Sequence, residues 1–170
     1  MQLKIHPKGI FYFLSSLIIA ILILIFLSAS IGIIFIFFSL FIYYFFRDPF
    51  RYVPAEDVII SPADGIVSSI SHVSNPINKN ENDKQFKKIS IFLSIFDVHV
   101  NRMPADSEVT DINYIPGKFI NATFEKSSTN NERNIISAKY KNEDIYIVQI
   151  AGLIARRIVC DIKKNQKILK

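Results

Sequence analysis

The stretch "FYFLSSLIIAILILIFLSASIGIIFIFFSLFIYYFF", residues 11–46, decides the class of fold because it carries no charged side chain. No charged residue occurs from Ile10 to Phe46, and all fifteen Asp and Glu residues follow this region. A bilayer core takes about 20 helical residues, so one straight helix through the whole stretch would overshoot it. Backbone groups in lipid must be satisfied within the segment, which makes helix the default. We therefore predict two helices, joined near Ser28–Ser30, that form a transmembrane hairpin.

Basic residues flank both outer ends of this hairpin. Lys4 and Lys8 precede the first helix, and Arg47 and Arg51 follow the second. Because positive residues accumulate on the cytoplasmic side, the pattern predicts that both ends and the following polar domain lie at the cytoplasmic face of the cell membrane. A cleaved signal peptide is the alternative, but the apolar length exceeds that of a signal sequence.

The pattern changes after "FFRDPFRYVP", residues 45–54, to short runs of β-branched and aromatic residues. We predict a membrane anchor over residues 1–46 and a β-rich domain over residues 47–170. The fold class is thus a mainly β domain with few helices, preceded by an α-helical transmembrane hairpin. Within residues 57–73 we expect two strands around a turn at 62–65, and further strands at 87–103, 107–115, 133–142, 143–151 and 155–162.

Charge and cysteine content exclude several classes of protein. The net charge is +5, but the basic residues form no dense block, so we expect anionic lipid head groups as partners and no nucleic acid. The single cysteine, Cys160, rules out an internal disulfide and is expected to be a small buried residue. One Cys and three His without ligand spacing predict no metal site.

Two short motifs could carry chemistry, namely "SPADG" (residues 61–65) and "SIFDVHVNRMP" (residues 94–104). On an alternating strand Asp97 and His99 would share one face two residues apart, so Asp97 could not orient His99 closely. Asp64 is one candidate for that role. A His–Asp pair also needs a nucleophile, and no G-x-S-x-G, Walker or G-x-G-x-x-G motif supplies one. The residues alone leave open whether Asp64 is a plain turn residue and His99 a structural one.

Taken together, five motifs in order resemble the short, membrane-anchored form of phosphatidylserine decarboxylase. The apolar hairpin before them also matches that family's layout. The motifs are "FFRDPFR" (45–51), "SPADG" (61–65), "FLSIFDVHVNRMP" (92–104), "PGKFINATFEKSSTNNERN" (116–134) and "QIAGLIARRIVCDI" (149–162).

The resemblance implies a pyruvoyl-dependent enzyme that converts phosphatidylserine to phosphatidylethanolamine. It implies that the proenzyme cuts itself at a Gly-Ser bond and that the serine becomes a pyruvoyl group, which serves as the electron sink for decarboxylation. The catalytic aspartate and histidine of the family then fall on Asp64 and His99, with His99 also a proton donor. A smaller, pyruvoyl-bearing subunit cut from the same proenzyme is the implied partner.

This sequence departs from the family in having no Gly-Ser dipeptide. The pyruvoyl serine is expected beyond Lys170, so we expect this chain to be C-terminally incomplete and inactive without the downstream segment. A trimmed larger subunit and a gene remnant are the alternatives to a truncated sequence. Ser107 also stands where the family usually has glycine.

Five basic residues could contact the lipid phosphate: Arg102, Lys118, Arg133, Arg156 and Arg157. Of these, Arg102, Lys118 and Arg133 are the predicted binding residues. For each of them, a solvated surface charge is an equal alternative. The runner-up for the whole protein is a membrane-anchored barrel-sandwich (lipoyl-like) adaptor, which "VIISPADGIVSSI" also resembles. A lipid-binding module without catalysis is a third interpretation. A homodimer is an alternative to a monomer.

Overall fold

The computed structural model describes residues 4–77, 85–120 and 127–170. In chain order the elements are β1 (Lys4–Ile5), α1 (Pro7–Phe26), α2 (Ala29–Phe45), β2 (Arg47–Asp48), β3 (Ile66–Val73), β4 (Phe86–Phe92), β5 (Ser107–Ile115), α3 (Ser127–Asn130), β6 (Arg133–Tyr140), β7 (Glu143–Ile150) and β8 (Lys167–Ile168). Two apolar helices followed by mostly β structure confirm the predicted fold class.

The described residues divide into two compact units. The first runs through residue 53 and also takes in residues 63–65 and 93–101, and the second takes in the rest. The division by contacts therefore does not follow the chain: two short loop segments from the polar part of the sequence belong to the unit that contains the helices. The anchor and β-rich domain assigned from the sequence, 1–46 and 47–170, stay a prediction.

The two helices of the first unit pack closely because glycine lies at their contact. An ideal Cβ on Gly32 of α2 would be 2.5 Å from the Cα of Leu24 in α1, so no larger residue fits there without displacement. The chain leaves α1 at Leu27 and re-enters helix at Ala29. The break therefore lies where the sequence predicted it. Among the described residues, α1 is the helix long and apolar enough to cross a membrane, whereas α2 is shorter.

A short ladder joins the outer ends of the hairpin. β1 pairs with β2 in antiparallel fashion, Lys4 opposite Asp48 and Ile5 opposite Arg47. The N–H of His6 also donates to the carbonyl of Phe46 at 2.9 Å. Proline at the first position of α1 starts the helix directly after this ladder, since its missing N–H would have no helical partner there. The start of α1 and the end of α2 are thus held together.

The second unit contains a four-stranded antiparallel sheet in the order β7-β6-β5-β8 and a separate β3-β4 hairpin. The buried apolar side chains of the larger sheet include Val109, Ile135 and Ala138. The β6–β7 turn at Lys141 and Asn142 has positive φ at both residues, 47° and 68°, as a tight hairpin requires. This turn confirms the hairpin predicted at Asn142.

Two predicted strands are wrong, and a third is too long, since only residues 87–92 of the strand predicted at 87–103 lie in a strand, β4. Residues 57–61, 93–103 and 155–162 are not in strands. The last is held instead by local bonds, such as the Gly152 N–H to the carbonyl of Ala155. Apolar β-branched composition indicates how well a segment would fit a sheet, and among the described residues no strand pairs with these segments. The sequence also predicts a polar loop at 75–85 and no strand at 121–134, and residues 78–84 and 121–126 of these stretches lie outside the described residues.

We expect Gly32→Leu to destabilise the helical hairpin, because the added side chain would meet the backbone of α1 at Leu24. Overpacking of this kind costs about 1–3 kcal/mol in unfolding free energy. Thermal unfolding of the detergent-solubilised chain measures it. Ile33→Leu is the matched control, since Ile33 is the next residue of the same helix and is 49% exposed. Equal melting temperatures for the two variants would contradict the close helix contact.

Candidate active site

Asp64, the first predicted catalytic residue, is paired with Arg51. Arg51 Nη1 contacts Asp64 Oδ1 in a charge-assisted hydrogen bond, and both residues belong to the first unit. The segment "SPADG" forms a series of bends before β3 rather than a strand, so the Asp64 carboxylate points from a loop. The ion pair links that loop to the segment that follows α2. Asp64 therefore has a more specific partner than a plain turn residue would need.

His99, the second predicted catalytic residue, follows a tight turn at residues 94–97 and does not lie in a strand. The Asp97 N–H donates to the carbonyl of Ser94 at 3.0 Å, and the Ser94 N–H donates to Asp97 Oδ2 at 2.7 Å. The first bond is between backbone groups, and the second holds the Asp97 carboxylate within the turn. The sequence predicted that the Asp97 carboxylate would not orient His99, and in the structure it does not. The reason differs, because the carboxylate is bonded within the turn and the segment is not a strand.

The backbone of Asp97 orients His99 instead. His99 Nδ1 lies 3.0 Å from the carbonyl oxygen of Asp97. A carbonyl can only accept, so Nδ1 carries the proton, and in the neutral ring Nε2 keeps its lone pair. Within the described residues Nε2 has no hydrogen-bond partner, and no hydrogen bond joins His99 to Asp64. The geometry therefore leaves Nε2 available as a base, and an orienting role for Asp64 stays a prediction.

Burial affects the protonation state of His99. It lowers the pKa of His99, and the nearby Arg47 charge acts in the same direction. The Asp97 carbonyl and carboxylate oppose the shift without reversing it. His99 is consequently held in its neutral form, the form that accepts a proton, at neutral pH.

The end of α2 forms one wall of the site. The ring of Phe45 stacks on His99 with centroids 4.2 Å apart and an angle of 27° between planes. Arg47 donates from Nη1 to the carbonyl of Tyr44 at 2.8 Å and from Nη2 to the carbonyl of Phe96 at 2.7 Å. The same guanidinium lies 3.7 Å above the Tyr44 ring. Arg47 thereby fastens the turn before His99 to the last turn of the helix.

The three predicted phosphate-binding residues belong to the second unit. Arg102 is exposed, and its N–H donates to the carbonyl of Pro62 at 2.9 Å. Lys118 is exposed beside Gly117, whose close approach to Asn131 leaves no room for a Cβ. Arg133 Nη1 donates to the carbonyl of Thr129 at 2.5 Å. The structure thus groups Asp64 with His99 in one unit and these three residues in the other.

Sequence reasoning missed three contributors to the site: Phe45, Arg47 and Arg51. Arg47 and Arg51 were interpreted as topology signals, and Phe45 as part of the apolar helix. The available signal was the motif "FFRDPFR", which contains all three. Among the described residues no cluster of three or more His, Cys, Asp or Glu could hold a metal ion.

Comparison with known proteins gives consistent matches over most of the chain. A family model described as "Phosphatidylserine decarboxylase" matches residues 38–170. A relative from Pelagibacter ubique is 46% identical over 97% of this chain and 77% of its own length. Relatives from Ehrlichia chaffeensis (46% identical, 97% and 73%) and Rickettsia prowazekii (40% identical, 96% and 71%) match similarly. All three relatives are named phosphatidylserine decarboxylase proenzyme, and the chain spans about three quarters of their length.

We expect His99 to titrate below the ordinary histidine pKa of 6.5 and Arg47→Gln to raise its pKa, because the substitution removes a nearby positive charge. Since the folded pKa lies below the unfolded one, protonation of His99 costs stability as the pH falls from about 6.5 through the folded value. A ¹⁵N NMR titration of the imidazole measures the shift.

Arg157→Gln is the matched control for this titration. Arg157 is exposed and lies in the second unit, so its loss should leave the His99 titration unchanged. A wild-type pKa at or above 6.5, or equal shifts in the two variants, would contradict the assigned causes.

Proposed function

The chain belongs to the phosphatidylserine decarboxylase family, and we propose that it forms the membrane-anchored larger part of an enzyme that decarboxylates phosphatidylserine to phosphatidylethanolamine. In this proposal the proenzyme first cuts itself at a serine that lies beyond Lys170. His99 is the base, and Asp64 is the second catalytic residue.

The observation that carries the proposal is the stacking of His99 on Phe45 at the end of an apolar helix. The last turn of such a helix meets the membrane–water interface, where the head groups of phospholipids lie. Tyr43 and Tyr44, which precede Phe45, are residues enriched at that depth. A base held at this level supports a reaction on a lipid head group rather than on a soluble substrate.

The environment of His99 supports a role in proton transfer. Nδ1 is committed to the Asp97 carbonyl, and the lowered pKa keeps Nε2 unprotonated at neutral pH. Nε2 is therefore suited to take the proton of a serine hydroxyl during self-cleavage. The same nitrogen, once protonated, can return a proton to carbon after CO₂ has left.

The residues of the site fit the pyruvoyl group that the family implies. Among the described residues, the His99 ring has a nitrogen without a hydrogen-bond partner, so a base is available to a carbonyl made from serine. Where bound, that group supplies an electron-withdrawing carbonyl. Within this chain His99 and Asp64 are the residues that would act on it.

The rest of the proposal concerns partners and location. The substrate is a membrane phospholipid, with Arg102, Lys118 and Arg133 as candidate contacts to its phosphate. The partner is a smaller, pyruvoyl-bearing subunit from the same proenzyme, and a homodimer is an alternative to a monomer. The basic residues at both ends of the hairpin support the cell membrane as location, with the catalytic part at the cytoplasmic face.

The proposed decarboxylase function has two alternatives. The family match over residues 38–170 favours a decarboxylase over a barrel-sandwich adaptor. A lipid-binding module without catalysis fits the chain by itself, because residues 1–170 contain no Gly-Ser bond to cleave. We propose that the 170-residue chain alone is inactive and that activity needs the downstream segment.

We expect the gene product extended past Lys170 to yield two fragments on expression and to convert phosphatidylserine to phosphatidylethanolamine. His99→Ala should leave a single uncut chain, since loss of a general base slows a reaction by about 10²–10⁴-fold. Gel electrophoresis, the mass of the new N-terminus and lipid chromatography provide the measurements.

His72→Ala is the matched control, since His72 is an exposed histidine of β3 in the second unit. It should cleave and turn over like the wild type. An extended sequence without a Gly-Ser bond would contradict the decarboxylase function. Normal cleavage of His99→Ala would contradict only the role of His99.

A further inference from the structure

Arg51 makes only part of the contacts that its guanidinium can make. Nη1 is bonded to Asp64, but Nε and Nη2 are buried and have no hydrogen-bond partner among the residues that the structure describes. The Arg51 side chain as a whole is 28% exposed, so Nε and Nη2 are shielded from bulk water while another part of the side chain is not. Buried donors of a cation are costly to leave unpaired, which indicates that a partner is missing.

The two unpaired atoms lie on the same edge of the guanidinium. Nε–H and one N–H of Nη2 point in parallel, and this edge forms the two-pronged donor that matches two oxygens of a carboxylate or a phosphate. Asp64 occupies the opposite nitrogen and fixes the plane of the group. The ion pair with Asp64 therefore orients the Arg51 guanidinium and leaves its Nε–Nη2 edge free to donate to a ligand.

The neighbours of Arg51 indicate where its ligand comes from. Phe50 and Tyr52 are 90% and 84% exposed, and they follow the end of the apolar helix α2 within a few residues. Exposed aromatic side chains at such a position are typical of the head-group level of a bilayer. At that level of a bilayer, the anions at hand are those of lipid head groups.

We propose that the Nε–Nη2 edge of Arg51 is a binding site for an oxyanion of the phospholipid head group, either its carboxylate or its phosphate. This inference rests on the proposed function and names the substrate contact made in the first unit. Arg51 binds the anion directly, while Asp64 holds the guanidinium in place. Because Asp64 already balances the charge, recognition depends on the paired donors more than on net attraction.

Arg51→Lys tests the site, because lysine keeps the charge beside Asp64 but cannot present two parallel donors. The full chain is studied in maltoside micelles, which contain no phosphate, with dihexanoyl phosphatidylserine and dihexanoyl phosphatidylethanolamine as probes. We expect about a tenfold weaker Kd for phosphatidylserine, the loss expected for one charge-assisted hydrogen bond. Lys163→Arg, an exchange between the same two cations at an exposed residue of the second unit, is the matched control and should bind like the wild type.

The two lipids separate the two head-group oxyanions. An equal loss for phosphatidylethanolamine assigns the site to the phosphate, whereas a loss confined to phosphatidylserine assigns it to the carboxylate. Arg51→Lys binding both lipids like the wild type would overturn the proposal. So would inorganic phosphate binding as tightly as either lipid, because the ligand would then be a soluble anion.

A measurement on the wild type guards against a variant that fails to fold. The Arg51 Nε–H resonance, identified by its absence from the spectrum of Arg51→Lys, should shift on addition of the lipid. A resonance that does not move during a titration that saturates the chain overturns the proposal. Neither readout needs turnover, so an inactive extended enzyme with normal Arg51-dependent binding would refute the decarboxylase function and leave this site intact.

Discussion

The fastening of the turn at residues 94–97 to the end of α2 by Arg47 is the interaction on which the site depends. One guanidinium donates two bonds, one to the carbonyl of Tyr44 and one to the carbonyl of Phe96. The ring of Phe41 adds an edge-on contact with Phe96 at 6.2 Å between centroids. With the turn fixed, the Asp97 carbonyl is fixed, and with it the tautomer of His99. A helix whose composition indicates a membrane anchor is thus also the scaffold of His99, the predicted base.

The two arginines after α2 contact different parts of the site. Arg47 acts on the histidine through the backbone and through its charge, which lowers the pKa of His99 together with burial. Arg51 acts on the aspartate through a direct ion pair. Positive charge beside a membrane helix is usually explained by topology alone. Here the same charges also have specific partners, so topology and chemistry constrain the motif "FFRDPFR" together.

The sequence allowed the fold class, the helix break and the β6–β7 hairpin to be predicted, because each follows from a local rule. The uncharged stretch requires helix in lipid, and Asn142 suits a positive φ. The segment around His99 was misjudged as a strand because its β-branched residues fit a sheet. Its conformation depends on bonds between Ser94 and Asp97 and on the distant Arg47, which periodicity does not report. Asp64 and His99 were singled out through family resemblance, and their chemical roles remain predictions.

The ladder between β1 and β2 restricts how the lengths of the two helices can change in evolution. It fixes the start of α1 and the end of α2 at one level, while Gly32 fixes their crossing against Leu24. The lengths of the two helices are therefore tied to each other. An insertion in one helix alone would shift either the crossing or the ladder out of register, whereas matched insertions in both would keep the two in step. Adaptation to a thicker or thinner bilayer would thus have to proceed in paired steps.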